Sequence, residues 1–200
     1  FGAFGIKKVL VADTHLKVRE IRVIPGEVLS PQSVRVLEDM IIGKNILSID
    51  LKKIASQIEL GPGAQNVRVI REMPSTIRIE IQKRKPVANV LLRQGGHYAI
   101  VSEDGVIIAT SASFDPAWVL VEDFSEPYKE PKIGARIQNK GFVEALRFLE
   151  VFNRHELARK EKITKIRLDA YGNVTVRLGE GPDFQLGRRP SEKMPMMTKA

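Results

Sequence analysis

Three histidines are the first residues to consider for metal binding or acid–base chemistry. His15, His97 and His155 fall in three separate parts of the chain, and none has a second histidine or a carboxylate at metal-ligand spacing. A lone histidine in such a setting is usually structural or solvent-exposed. We therefore predict that the chain has no metal site.

One acidic turn is the other candidate for chemistry. Glu103 and Asp104 are adjacent carboxylates followed by Gly105, and paired carboxylates are used in general acid–base catalysis. Acidic residues beside a glycine are also typical of a β-turn, which is the interpretation that we favour.

Other reactive motifs are missing from the sequence. It contains no cysteine and no Gly-x-Ser-x-Gly elbow, and its glycines match neither a phosphate-binding loop nor a dinucleotide fingerprint. We predict that the chain is not an enzyme and uses no cofactor or small-molecule substrate. A catalytic triad assembled from distant residues is left open.

The net charge of +8 is typical of a protein that contacts an anion such as nucleic acid or lipid, and also of an ordinary protein with a basic surface. The basic residues are, however, spread along the chain in short runs, such as those at residues 83–85 and 188–189. Aromatic residues make up 6% of the chain and do not alternate with the basic ones, as a single-strand binding surface requires. A nucleic-acid-binding module is therefore the least favoured of the alternatives.

The sequence has no apolar run that could cross a membrane. Its apolar stretches, such as residues 87–92 and 106–109, are far shorter than the roughly 20 residues that a bilayer requires. The chain begins at Phe1, without methionine and without the basic start of a signal peptide. We expect it to begin inside a longer protein, with membrane attachment upstream of Phe1 left open.

The first half of the chain predicts the element order β-α-α-β-β. A strand over residues 18–24 ends at a Pro-Gly pair, Ser30 and Asp50 are suited to cap two amphipathic helices, and two alternating strands follow at residues 67–70 and 77–81. A three-stranded sheet with both helices on one face would bury all of these apolar positions.

The second half predicts an antiparallel β domain with one long helix. Four short apolar strands between residues 87 and 121 indicate an antiparallel meander, and residues 126–134 form a proline-rich loop. A helix follows at about Lys140–Lys160, then a hairpin over residues 163–178 and a last short strand at residues 184–186. The polar Met/Pro-rich tail, residues 191–200, is typical of a disordered end.

Several motifs occur in the order and spacing of a known family. They are a strand ending at residues 25–26 (PG), residues 43–51 (GKNILSIDL), 71–77 (REMPSTI), 83–88 (KRKPVA), 98–106 (YAIVSEDGV) and 184–187 (FQLG). Together they resemble a POTRA domain of the FtsQ/DivIB family of bacterial cell division proteins and the β domain that follows it. Lys83 stands where that family commonly has glutamate.

The resemblance implies a domain organisation and a function. It implies a membrane-proximal lead-in at residues 1–17, a POTRA domain at 18–86, an FtsQ-type β domain at 87–190 and the tail. The family consists of non-enzymatic scaffolds in the inner membrane, anchored by one upstream transmembrane helix and extending into the periplasm. They bind division proteins of the FtsB/FtsL type and help to regulate septal peptidoglycan synthesis.

The resemblance also directs attention to the last strand. In the family a helix and a further strand usually follow, and that strand takes part in partner binding, whereas here Pro195 interrupts the matching helix. Either the sequence stops short of that strand, in which case the site is missing from this chain, or the protein lacks the strand, in which case Phe184, Gln185 and Leu186 form the exposed edge of the sheet. Arg167 lies where the family sometimes has an arginine near the partner. These four residues are the predicted partner-binding set.

One alternative has a related fold. A POTRA-containing component of outer-membrane protein assembly or secretion would have several POTRA repeats, whereas this sequence contains one such unit followed by a different domain.

Overall fold

The computed structural model describes residues 14–92, 96–123 and 132–197. These residues form two compact units that divide between Lys83 and Arg84. Each unit combines a β-sheet with helices, which confirms the predicted α+β class. Residues 1–13 of the predicted lead-in and most of the predicted proline-rich loop lie outside the described residues.

The first unit has the predicted β-α-α-β-β order. After a short 3-10 turn its elements are β1 (Glu20–Ile24), α1 (Pro31–Ile41), α2 (Leu51–Glu59), β2 (Ala64–Glu72) and β3 (Thr76–Lys83). The sheet order is β1-β3-β2, with β1 parallel and β2 antiparallel to β3. Ser30 and Asp50 cap the two helices by accepting backbone N–H bonds from Ser33 and Lys53, so both predicted caps are confirmed.

The strands of this unit have one apolar and one charged face because side chains alternate along a strand. Alternate isoleucines of β3 are buried in the same core as the inner faces of α1 and α2; these residues are Leu37, Ile41, Ile54, Ile58, Ile77, Ile79 and Ile81. The opposite face holds ion pairs such as Arg22–Glu72 and Arg78–Glu80.

Arg71 of β2 joins the sheet to the loop between the two helices. Its Nε donates to the carbonyl of Ile46 and its Nη2 to the carbonyl of Ile49, both at 2.7 Å. A guanidinium suits this position because its rigid fork can reach two carbonyls at once. The loop is therefore fixed by a side chain that is distant from it in sequence.

We expect Arg71→Ala to lower the free energy of unfolding by about 2–3 kcal/mol, because two charged hydrogen bonds are lost. Urea unfolding of the whole chain measures this change. The matched control is Arg68→Ala on the same strand. It removes an exposed ion pair with Glu80 and should lower the free energy of unfolding by less than about 0.5 kcal/mol. Equal effects of the two substitutions would contradict this role of Arg71.

The second unit is a seven-stranded mixed sheet covered on one face by helices. Its strands are β4 (Pro86–Leu91), β5 (Tyr98–Ser102), β6 (Ile107–Ser111), β7 (Val119–Asp123), β8 (Ile163–Leu168), β9 (Val174–Leu178) and β10 (Asp183–Gly187). The helices are α3 (Lys140–Arg154) and the short α4 (Met194–Met197). The strand order is β10-β9-β8-β7-β4-β5-β6.

The prediction of an antiparallel meander is wrong for β7. Leu120 of β7 lies opposite Asn89 of β4 and Lys165 of β8, and both pairings are parallel. The chain leaves β7, passes through α3 and returns to β8, which is the long crossover that parallel strands require. The predicted hairpin of β8 and β9 is confirmed.

Helix α3 packs its predicted inner face against the sheet. Phe142, Leu146, Leu149 and Phe152 are all buried, together with Phe148. The helix ends at Arg154, earlier than predicted, because His155 leaves the helical conformation and its Nδ1 accepts a bond from Leu157 at the start of a 3-10 turn.

The segment after β10 folds back onto this core. Residues 190–193 form a 3-10 turn that leads into α4, and Met194 and Met197 are buried in the same core as α3. This part of the predicted tail is ordered, since two apolar side chains at helical spacing anchor it.

Candidate partner-binding site

The chain itself pairs with the beginning of the second sheet's border at β6. Ile107 donates its N–H to the carbonyl of Ala135 at 2.9 Å, and Gly134 donates to the carbonyl of Ile107 at 2.8 Å. Val106 forms a further bridge with Arg136. The segment before α3 thus satisfies the first backbone groups of this border.

The border at β10 is different. Within residues 14–92, 96–123 and 132–197, β10 has β9 as its one strand neighbour, and the segment after it forms no backbone hydrogen bond with residues 183–187. That segment instead packs Met194 and Met197 into the core.

The register shows which backbone groups of β10 point to this open border. The N–H of Asp169 donates to the carbonyl of Asn173, which fixes the hydrogen-bonding pattern between β8 and β9. In this pattern the backbone N–H and C=O groups of the odd-numbered residues of β9 point toward β8. The backbone groups of Val176 therefore point toward β10, and those of Phe184, its partner in the register, point back toward β9. The N–H and C=O of Gln185, the next residue, point outward.

Buried side chains hold this strand in place. Leu186 is buried in the core and Phe184 packs against it, whereas Gln185 is exposed on the opposite face. A β-bulge separates Gln185 from Gly187, whose φ of +71° favours glycine. Shortness and a bulge also protect sheet edges from unspecific pairing, so this border suits selective rather than general strand addition.

Arg167 lies in the same corner of the sheet as the last strand. The register aligns Arg167 with Thr175 and Thr175 with Gln185, which places Arg167 two strands away, roughly 10 Å across the sheet. Its guanidinium contacts Glu122 at 3.4 Å and Asp183 at 3.6 Å, and its side chain is 40% exposed. Arg167 and Gln185 thus share a row on the outer face of the sheet, whereas the side chains of Phe184 and Leu186 lie on the core face.

Asp183 links Arg167 to the neighbouring strand. Its Oδ1 accepts a bond from Arg177 at 2.7 Å. This hydrogen bond, with the positive charges of Arg177, Arg167 and Lys165, holds the pKa of Asp183 below its ordinary range, although burial acts in the opposite direction. Asp183 is therefore ionised at neutral pH, and its charge is balanced within the sheet.

The acidic pair considered for catalysis forms the turn between β5 and β6. Asp104 accepts bonds from Ser102 at 2.6 Å and from the Nε of Arg84 at 3.2 Å, and it pairs with Arg136 at 3.1 Å. Burial raises the pKa of Asp104, but these three partners together lower it below the ordinary value. Asp104 thus serves as the counter-charge of the buried Arg84, a role that sequence reasoning missed.

The histidines lie apart from each other. His15 and His97 are exposed, and His155 caps a 3-10 turn. Among the described residues, no three histidine or carboxylate side chains are grouped as metal ligands. In the same part of the chain, no helix has the length and apolar character needed to cross a bilayer.

A family model described as POTRA domain, FtsQ-type, matches residues 16–84. This range coincides with the first unit and its β-α-α-β-β order. The first unit is an FtsQ-type POTRA domain. The resemblance of the sequence to the FtsQ/DivIB family is thereby confirmed for residues 16–84, which contain the helix caps and Arg71.

Relatives extend this similarity into the second unit. The chain is 25% identical to the cell division protein FtsQ of Geobacter sp. over 195 residues, which cover 90% of the chain and 68% of that relative. It is 24% identical to the FtsQ of Streptomyces coelicolor over 189 residues, covering 92% of the chain and 69% of the relative.

A shorter match has higher identity. The FtsQ of Syntrophotalea carbinolica is 31% identical over 85 residues, which is 42% of this chain and 30% of that relative. The matched part of this chain therefore spans from about one third to about two thirds of the length of these relatives.

The ion pair of Asp104 predicts a pH dependence. Because the folded-state pKa of Asp104 is lowered, its stabilising contribution is complete above the ordinary aspartate pKa of 3.8 and is lost as the pH falls through the folded value. We expect Asp104→Asn to cost roughly 3 kcal/mol at neutral pH, since Arg84 loses its counter-charge, and to flatten the loss of stability in acid.

Urea unfolding measured between neutral and acidic pH checks this expectation. Glu144→Gln is the control, because it removes an exposed surface pair with Arg147 and should cost below about 0.5 kcal/mol. If Asp104→Asn lost stability in acid as steeply as the unchanged protein, the role of Asp104 as the counter-charge of Arg84 would be contradicted.

Proposed function

We propose that this chain is the extracytoplasmic part of a non-enzymatic scaffold of the bacterial divisome. In this proposal it binds division proteins of the FtsB/FtsL type and so helps to regulate septal peptidoglycan synthesis. The observation that supports the proposal most directly is the outward-facing backbone of β10, held in place by the buried Leu186.

The similarity to FtsQ supports the cellular setting. Relatives that match about 90% of the chain are cell division proteins by name. We infer a single-pass protein of the inner membrane, anchored upstream of Phe1, with the two units on the periplasmic side. An outer-membrane assembly component would instead have repeated POTRA units, and the second unit has a different strand order.

Strand addition at β10 is the proposed binding mechanism. An extended segment of the partner would pair with the N–H and C=O of Gln185 and of Asp183, two residues earlier on the same border. Such main-chain bonds supply affinity that is largely independent of the partner's side chains. The β6 border is less suited, because residues 134–137 already pair with its beginning.

Side chains beside the added strand would select the partner. On the outer face of the sheet, Gln185 is exposed and Arg167 is partly exposed in the same row. Arg167 contacts Glu122 and Asp183 at more than 3.3 Å, so its guanidinium can accommodate a further carboxylate. We therefore expect an acidic residue in the partner segment near Arg167.

A proline on the open border tests this mechanism. Gln185→Pro removes an outward N–H and places a ring where the added strand would lie, while the pairing with β9 is kept. We expect affinity for a co-purified FtsB-type partner to fall at least about tenfold, with urea unfolding nearly unchanged.

The matched control is Thr110→Pro, an exposed residue at the opposite border of the sheet. Two backbone bonds, from Ser102 to Val106 and from Leu92 to His97, show which residues of β5 and β6 bond to each other. In this register the backbone N–H and C=O of Thr110 also point away from the sheet. This variant should bind the partner normally. Equal binding by both variants, or equal loss, would overturn the assignment of β10.

A further inference from the structure

Three separate segments meet at one end of the POTRA domain. Val18 donates to the carbonyl of Lys44 at 2.9 Å, Ile46 donates to Leu16 at 2.8 Å, and Arg19 donates to Ser75 at 2.8 Å. These bonds join residues 14–19, 42–49 and 73–75, which we call the basic tip. The chain enters the described fold at this end, at Thr14.

The charges of the basic tip are all of one sign. Its three segments contain the exposed cations Lys17, Arg19 and Lys44, together with His15, and no aspartate or glutamate. Within the described ranges of the chain, none of these three cations forms an ion pair.

The arginines of the nearby sheet face are arranged differently. Arg22 pairs with Glu20 and Glu72, and Arg78 pairs with Glu72 and Glu80. The carboxylates closest in sequence to the tip thus already have cationic partners, while Asp50 caps α2 and Glu38 and Asp39 lie on the last turn of α1. Glu20 and Glu72 are therefore engaged with arginines of the sheet face rather than with the cations of the tip.

Large aliphatic side chains are exposed in the segments of the tip. Ile42, Leu47 and Met73 are 41%, 44% and 56% exposed, and they come from two of the three segments of the tip. Exposed aliphatic residues combined with unpaired cations suit an interface with apolar chains below a layer of negative charge. Nucleic acid would use the cations but would offer nothing to these aliphatic side chains.

We propose that the basic tip binds the surface of an anionic phospholipid bilayer. The cations contact lipid phosphates, and the aliphatic side chains reach the boundary of the acyl chains. This inference goes beyond the proposed function, since it does not involve β10, and it adds a second contact on the side from which the chain enters the domain. Each cation should strengthen binding roughly fivefold at low salt.

Vesicle sedimentation with the full chain tests the proposal. We expect sedimentation with vesicles of phosphatidylglycerol and phosphatidylcholine in about equal amounts, little with phosphatidylcholine alone, and weakening as salt shortens the screening length. The double variant Lys17→Glu/Lys44→Glu should bind at least about 25-fold more weakly. Leu47→Ser should weaken binding while all charges are kept.

The control variant is Lys83→Glu/Lys85→Glu, which changes the net charge equally. Lys83 is exposed at the other end of β3, roughly 24 Å from the tip. Equal losses in the two double variants, equal binding to neutral vesicles, or no binding at all would overturn the proposal. Since partner binding through β10 is measured separately with the Gln185 variant, either proposal can fail without the other.

Discussion

The backbone groups at the border of a β-sheet need hydrogen-bond partners, and this constraint organises the second unit. Seven strands leave two borders, and an unpaired border can pair with other chains. The protein closes part of one border with residues 134–137. At the other border, Leu186 of β10 is buried in the core, and Met194 and Met197 anchor the segment that follows. The strand is thus fixed by its side chains, while its alternate backbone groups have no partner among residues 14–92, 96–123 and 132–197.

Charges in this protein serve different purposes according to their burial. Arg84, with a side chain only 6% exposed, requires Asp104 because an unpaired charge in the interior is costly. Arg71 uses backbone carbonyls rather than a carboxylate and so fixes a loop. Exposed pairs on the sheet faces contribute little to stability. Among the described residues, the cations of the basic tip form no ion pair and stay available to an external anion.

The sequence predicted those features that depend on local patterns. The caps Ser30 and Asp50, the alternation of β3 and the inner face of α3 follow from short-range spacing, and all are present. The parallel pairing of β7 and the burial of Met194 depend on contacts between distant residues. A single sequence contains no local signal for them.

The candidate site was predictable to a similar degree. The strand at residues 184–186 and the position of Arg167 could be proposed from motifs, but their shared corner of the sheet follows from the register of three strands. The pairing at the beginning of β6 could not be predicted, because the segment that forms it is irregular and precedes α3. The counter-charge role of Asp104 was hidden because the same residues also predict an ordinary turn.

Hydrogen exchange at the amide of Gln185 tests the central claim most directly. In the isolated chain this amide should exchange quickly while the amide of Phe184, which faces β9, is protected. On addition of an FtsB-type partner, protection should appear at Gln185 and change little at Thr110. An amide of Gln185 that is already protected in the isolated chain, or that stays unprotected in the complex, would contradict the account.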